Sequence, residues 1–263
     1  MRAKFHGVGV ALITPFKENL DIDFPALKRL VDFCSEGGVD YLVVQGTTGE
    51  SATCSTAEKN EILAFVKKNN TKKLPIVYGL GGNNTAEVLE TIKKTNLKGV
   101  DAILSVCPYY NKPPQAGIIA HFTAIADTSP VPVLLYNVPG RTVTHLQIPT
   151  VVKLAKHKNI IGIKDASSIE NAMELSKFCP KDFILLSGDD NLVTATISMG
   201  FHGVISVIGN AFPKEFSEMT HAAMDGNFKK SAEIQRKFID FDTLLYVESN
   251  PVGIKKCLEI KKY

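Results

Sequence analysis

The sequence has no apolar run near the roughly 18 residues that a membrane-crossing helix needs, so no membrane span is expected. It has no dense Lys/Arg tract either. Its 30 basic residues stand against 27 acidic ones, and a net charge of +3 gives no reason to expect a nucleic-acid partner. The histidines at 6, 121, 145, 157, 202 and 221 form neither H-x-x-x-H nor H-x-H, so no metal is expected. The cysteines at 34, 54, 107, 179 and 257 are odd in number and contain no C-x-x-C pair. That pattern suits free thiols in a reducing compartment, which makes the cytoplasm the expected location. No small-residue cleavage site follows the opening MRAKFHGVGVALITPF, whose apolar run reads as a first strand. QGTTGES at 45–51 is not followed by Gly-Lys-Ser/Thr, and GLGGNN at 79–84 lacks the spacing of G-x-G-x-x-G. No cofactor is expected.

What is present is a rhythm. Eight short runs are continuously apolar: 7–16, 41–47, 74–80, 102–108, 131–138, 160–165, 183–189 and 203–209. Strands covered on both faces read this way, whereas half-exposed strands alternate. Helical periodicity lies between them. Segment 115–127 aligns Ile118, Ile119, Phe122, Ile125 and Ala126, and segment 56–69 aligns Ile62, Phe65 and Val66. Ser55 with Glu58, and Ser167 with Glu170, have the spacing of capping boxes, and Asn84 with Glu87 is a looser version. Eight strand–helix alternations without a linker predict one α/β domain, a (β/α)8 TIM barrel; two flavodoxin-like halves are the competing topology, and no shift of composition supports a split. The barrel is expected to occupy 1–225. Residues 226–263 are expected to form a helical extension, with helices over 228–246 and 250–260 following one at 213–225.

In such a barrel the chemistry gathers where the strands end. Those ends carry Thr47, Thr48, Tyr109, Tyr110, Tyr136, Arg141, Lys164, Gly188 and Asp189, while the opposite ends are mostly Pro, Val, Ile and Leu. Lys164 sits near the end of the run IIGIKD. An ammonium among apolar neighbours either reaches a polar edge or gives up its proton. In the first case Lys164 is a rim lysine. In the second, its amine can attack a ketone and form an iminium, an electron sink that acidifies the adjacent carbon. Tyr136 can shuttle protons or simply fill the barrel top. Arg141 can hold a carboxylate or sit in a surface ion pair. Asp189 and Asp190 lack a His or Glu at ligand spacing, so capping of a helix is the expected role.

GTTGES, CPYYNKPPQ, YNVPGRT, GIKDAS, LLSGDD and GVISV occur in this order, and with SNPVGIKK they resemble the dihydrodipicolinate synthase family of pyruvate-dependent class I aldolases. The resemblance implies a lyase that condenses pyruvate with L-aspartate 4-semialdehyde to 4-hydroxy-tetrahydrodipicolinate, for lysine and diaminopimelate synthesis. It implies that Lys164 forms the Schiff base and that Tyr136 moves protons with Thr47 and Tyr110, the last reaching into a neighbouring subunit. Thr48, Gly188 and the backbone at Ile205 would hold substrate, with Arg141 on the semialdehyde carboxylate. It also implies a homotetramer of tight dimers. N-acetylneuraminate lyase and aldolases of keto-deoxy sugar acids or hydroxy-oxoglutarate share Lys164 and Tyr136; a non-catalytic barrel that binds a small acid is a third possibility. Ser51, Ala52, Asn83, Glu87 and Tyr109 match the cleft where lysine inhibits many members. Thr56 and Lys59 stand where lysine-sensitive members often carry histidine, so weak or absent feedback is expected. Two departures are the end of the chain at Tyr263, where members usually continue through another helical stretch, and Gly253 where they often have proline.

Overall fold

The computed structural model describes residues 2–263. Eight parallel strands close on themselves in sequence order: β1 (Gly7–Ala11), β2 (Tyr41–Val44), β3 (Ile76–Gly79), β4 (Ala102–Val106), β5 (Val133–Asn137), β6 (Ile160–Asp165), β7 (Ile184–Ser187) and β8 (Gly203–Ser206). The TIM barrel expected from the eight apolar runs is therefore present. The helices around it are α1 (Phe24–Glu36), α2 (Thr56–Asn69), α3 (Thr85–Lys94), α4 (Gln115–Thr128), the one-turn α5 (Pro139–Thr142), α6 (Ile148–Leu154), α7 (Ile169–Phe178), α8 (Val193–Ser198) and α9 (Pro213–Met224). Beyond them come α10 (Phe228–Gln235), α11 (Ile239–Leu245) and α12 (Val252–Ile260). The single helix expected over 228–246 is interrupted by a 3-10 turn at Arg236–Phe238, and residues of the second half, Asp242 and Tyr246, line the cavity at the barrel mouth.

Strand alternation sorts the core into two layers. Phe5, Tyr41, Val43, Val77, Leu104, Leu134, Leu186 and Ile205 pack inside the barrel. Val10, Leu42, Ile103, Leu135 and Ile163 face outward onto the helices, where Phe122, Ile118 and Ile125 of α4 are fully buried. Burying each such side chain stabilises the fold by roughly 1.5–3 kcal/mol. Gly9 is required inside, since a Cβ there would lie 2.0 Å from the Tyr41 ring.

Helix starts follow short-range chemistry. Ser55 and Glu58 form the reciprocal capping box that their spacing predicts, and Asn84 accepts from the amide of Glu87. The Ser167–Glu170 box does not form. Ser168 caps α7 by accepting from the amide of Asn171, while the Ser167 side chain is turned back to Asp165 and donates to its Oδ2 at 2.7 Å.

Candidate active site

The direction of Lys164 depends on one irregularity in β6. Val133 pairs with Ile160, but the next residue, Leu134, pairs with Gly162, so β6 carries one extra residue at Ile161. A one-residue insertion reverses the facing of everything beyond it. Ile160 and Ile163 accordingly both pack outside, and Lys164 turns inward. Without the bulge the lysine would face the helices.

Inside, Lys164 is in register with Tyr136 on β5, and its Nζ lies 4.4 Å from the centre of the Tyr136 ring. Lys164 is 6% exposed, yet among the described residues no hydrogen bond or ion pair holds Nζ. Its neighbour Asp165 points the other way, accepting from Asn137 Nδ2 and Ser167 Oγ, both at 2.7 Å. The ammonium therefore lacks the carboxylate that a structural lysine would be paired with. Gly188 makes room for it: a Cβ there would sit 2.8 Å from Lys164 Cε.

Lys164, Tyr136, Thr48, Arg141, Gly188, Asp189 and Val207 line a cavity of about 310 Å³. Arg141 is braced at its rim, donating from Nη2 to the carbonyl of Asn250 at 3.3 Å and to Ser249 Oγ at 3.5 Å. Thr48 Oγ1 accepts from Asn250 Nδ2 at 3.0 Å. Ile205 is buried within the barrel rather than on the cavity wall. Asp189 caps the turn after β7, as its position suggested, while Asp190 is buried and accepts the amides of Val207 and Ile208.

Thr47 lies on the other side of Tyr136. Both line a neighbouring cleft of about 270 Å³ with Ser51, Asn83, Glu87, Tyr109, Thr56 and Lys59. Ala52 is exposed beside Ser51 and does not line it. Tyr110 stands apart, 88% exposed and held at φ +73°, a left-handed conformation that a side chain disfavours.

Two wall residues had escaped the reading of the sequence, Asp242 and Tyr246, and a third, Asn250, had entered it only within SNPVGIKK, without a role. They come from the C-terminal segment folding back across the mouth, which an ion pair between Lys255 and Glu50 also fastens. One signal existed. Phe238, Asp242 and Leu245 recur at helical spacing and are all buried, which puts a carboxylate on an apolar stripe.

A lysine without a hydrogen-bonding or ionic partner, a phenol beside it and a guanidinium at the entrance are groups that can carry Schiff-base chemistry on an anionic ketone. The family model for the dihydrodipicolinate synthetase family matches residues 4–262. The chain belongs to that family. It is 49% identical over 257 residues to a 4-hydroxy-tetrahydrodipicolinate synthase of Cytophaga hutchinsonii, covering 97% of this chain and 86% of that one. Among solved structures of the family, the Acinetobacter baumannii dihydrodipicolinate synthase complexed with pyruvate superposes with a TM-score of 0.95 at 36% identity, over 98% of this chain and 89% of that one. A structure described as the first monomeric dihydrodipicolinate synthase variant also has a TM-score of 0.95, at 35% identity, over 98% of this chain and 88% of that one.

Proposed function

We propose that this chain is a 4-hydroxy-tetrahydrodipicolinate synthase, a lyase that joins pyruvate to L-aspartate 4-semialdehyde. The observation that carries the reading is the unpaired Lys164 amine turned into the barrel mouth against Tyr136. The amine adds to C2 of pyruvate, and the carbinolamine loses water to give an iminium. Loss of a C3 proton gives an enamine, whose carbon attacks the aldehyde. The amino group of the second substrate then adds to C2 and expels Lys164, closing the ring. Each addition and loss of water moves a proton, and Tyr136 is the phenol placed to carry it, with Thr47 behind it. Thr48 and the strand ends at Gly188 and Ile205 hold pyruvate, and Arg141 holds the carboxylate of the second substrate.

Tyr110 serves a second copy of the chain. A strained, outward aromatic is explained when it enters a partner's site and completes the proton relay there. The working unit on this reading is a dimer, paired again into a tetramer, in the cytoplasm. Residues 226–263 act as an extension that closes the mouth of the 1–225 barrel. The cleft behind Thr47 is the position of the regulatory site, and Lys59 within it repels a cationic effector such as lysine.

Incubation with pyruvate and each candidate aldehyde tests the assignment. Condensation with L-aspartate 4-semialdehyde at a kcat/KM well above that with N-acetylmannosamine or a sugar aldehyde is expected. The reverse order would reassign the chain to a lyase of the same superfamily.

A further inference from the structure

One residue of the C-terminal segment touches two groups of the cavity wall that come from separate loops. Asn250 donates from Nδ2 to Thr48 Oγ1 at 3.0 Å, and its carbonyl accepts from Arg141 Nη2 at 3.3 Å. Thr48 follows β2 and Arg141 lies on α5 after β5, and all three residues line the Lys164 cavity. Asn250 Oδ1 is buried and has no hydrogen-bond partner among the described residues. Such an orphan is costly, and an apolar side chain would fill the space without it. Packing alone therefore does not explain an amide here.

The segment that carries Asn250 is held in one shape. Ser249 sits at φ +69°, a left-handed conformation that a side chain disfavours. Its amide donates to the Tyr246 carbonyl at 3.0 Å, and the Val252 amide donates to the Ser249 carbonyl at 3.1 Å, closing a tight turn from α11 into α12. Gly253 lets the two helices meet there, since a Cβ would lie 2.5 Å from the Leu245 carbonyl oxygen. The α12 helix is fastened in turn: Ile254 and Leu258 are buried, Lys255 pairs with Glu50, and Lys255 Nζ lies 4.5 Å from the centre of the Phe16 ring.

We propose that Asn250 is a positioning residue acting through both neighbours: its amide sets the Thr48 hydroxyl as a donor to pyruvate, and its carbonyl sets the Arg141 fork for the carboxylate of the second substrate. A hydroxyl can donate or accept, whereas a carboxylate only accepts. With one lone pair of Thr48 Oγ1 engaged by Asn250, the hydroxyl proton is left for the substrate. Arg141 is exposed, and an arginine side chain has many rotamers to choose from. The Asn250 carbonyl and Ser249 Oγ select one of them at the cavity rim. Order set in advance is order that substrate binding need not impose.

One residue making both contacts has a consequence for the two half-reactions. The Asn250 side chain anchors its own backbone to Thr48, so losing that anchor frees the carbonyl that braces Arg141. A change on the pyruvate side of the cavity is then felt on the side of the second substrate. Lys164 on β6 makes no contact with Asn250 by hydrogen bond and keeps its place.

This inference rests on the synthase reading for the identity of the two substrates. Asn250→Ala should raise the pyruvate concentration needed for half-maximal borohydride trapping at Lys164 about fivefold, and lower kcat/KM for L-aspartate 4-semialdehyde at saturating pyruvate about tenfold. Two double-mutant cycles locate the cause. In Thr48→Val, which lacks the hydroxyl, Asn250→Ala should leave the trapping curve where it is. In Arg141→Ala it should leave kcat/KM for the semialdehyde where it is. A loss that persists undiminished in either background, or unchanged trapping and turnover in a folded Asn250→Ala, overturns the assignment. Asn250→Asp keeps the shape and has no N–H to donate; if it trapped pyruvate as the unmodified chain does, packing would account for Asn250 and the proposal would fail. Should Asn250→Ala not fold, Asn250→Asp carries the same two cycles. Absence of condensation with every aldehyde would instead sink the synthase reading, and the trapping cycle with Thr48→Val would still judge the amide of Asn250.

Discussion

Replacing Gly188 with alanine tests whether the lysine is placed by shape. The new Cβ would stand 2.8 Å from Lys164 Cε, 2.7 Å from Ala166 Cβ and 3.2 Å from the carbonyl of Asp165. Carbon atoms settle at about 3.5–4.0 Å, so the lysine stem must retreat by roughly 1 Å. Ala166 and the Asp165 backbone have little freedom, because Asp165 is fixed by Asn137 and Ser167. The flexible lysine moves most readily, and the 2.7 Å approach to Ala166 Cβ is relieved by a small shift of the backbone at residue 188. Overpacking of this kind costs about 1–3 kcal/mol of stability, which leaves a folded protein. Displacing a reacting atom by about 1 Å costs on the order of 10²-fold in rate. Gly188→Ala should lower kcat/KM for pyruvate about 10²-fold, with a Tm only a few degrees lower and an unchanged far-ultraviolet spectrum. Unchanged kinetics in a folded variant would refute the argument that the bare glycine backbone sets the place of the amine.

Other consequences can be checked alongside. Tyr136→Phe keeps the ring under Lys164 and removes only the hydroxyl, so kcat should fall about 10²- to 10⁴-fold while KM for pyruvate changes little; rapid-quench turnover measures this. Millimolar L-lysine should leave the rate nearly unchanged, since Lys59 lines the cleft, and strong inhibition in the same assay would contradict that electrostatic reading. At the far end of the barrel, the hydrogen bond that His221 Nε2 donates to Asp40 Oδ2 at 2.8 Å raises the pKa of His221. A raised folded-state value adds stability in full below the ordinary histidine range and loses it as pH rises through the folded value. His221→Gln should therefore lower Tm at about pH 5.5 and have a smaller effect at about pH 8.

The strands were legible because each is buried on both faces and so is continuously apolar, from LPIVYGL to GVISVIG. The rim position of Lys164 was legible for the same reason. Its inward direction was not, because it depends on the bulge at Ile161, and nothing in the letters IIGIK marks which residue is the extra one. The α7 cap was misplaced by one residue because Ser167 and Ser168 are equally good caps by residue type; Ser168 takes the role, and the Ser167 hydroxyl is turned back to Asp165. The outer wall was hidden for a different reason. Asn250 meets Thr48 across 202 residues of sequence, and no local pattern encodes such a contact. Asp242 was the exception that could have been found, as a charge inside a helical stripe of Phe238 and Leu245.

The account turns on covalent chemistry at one amine, and reductive trapping reads it directly. Pyruvate with borohydride should add one reduced pyruvate unit per chain, mapped to the peptide carrying Lys164, and Lys164→Ala should abolish the adduct and the turnover together. An adduct on another lysine, or full turnover by Lys164→Ala, would contradict it.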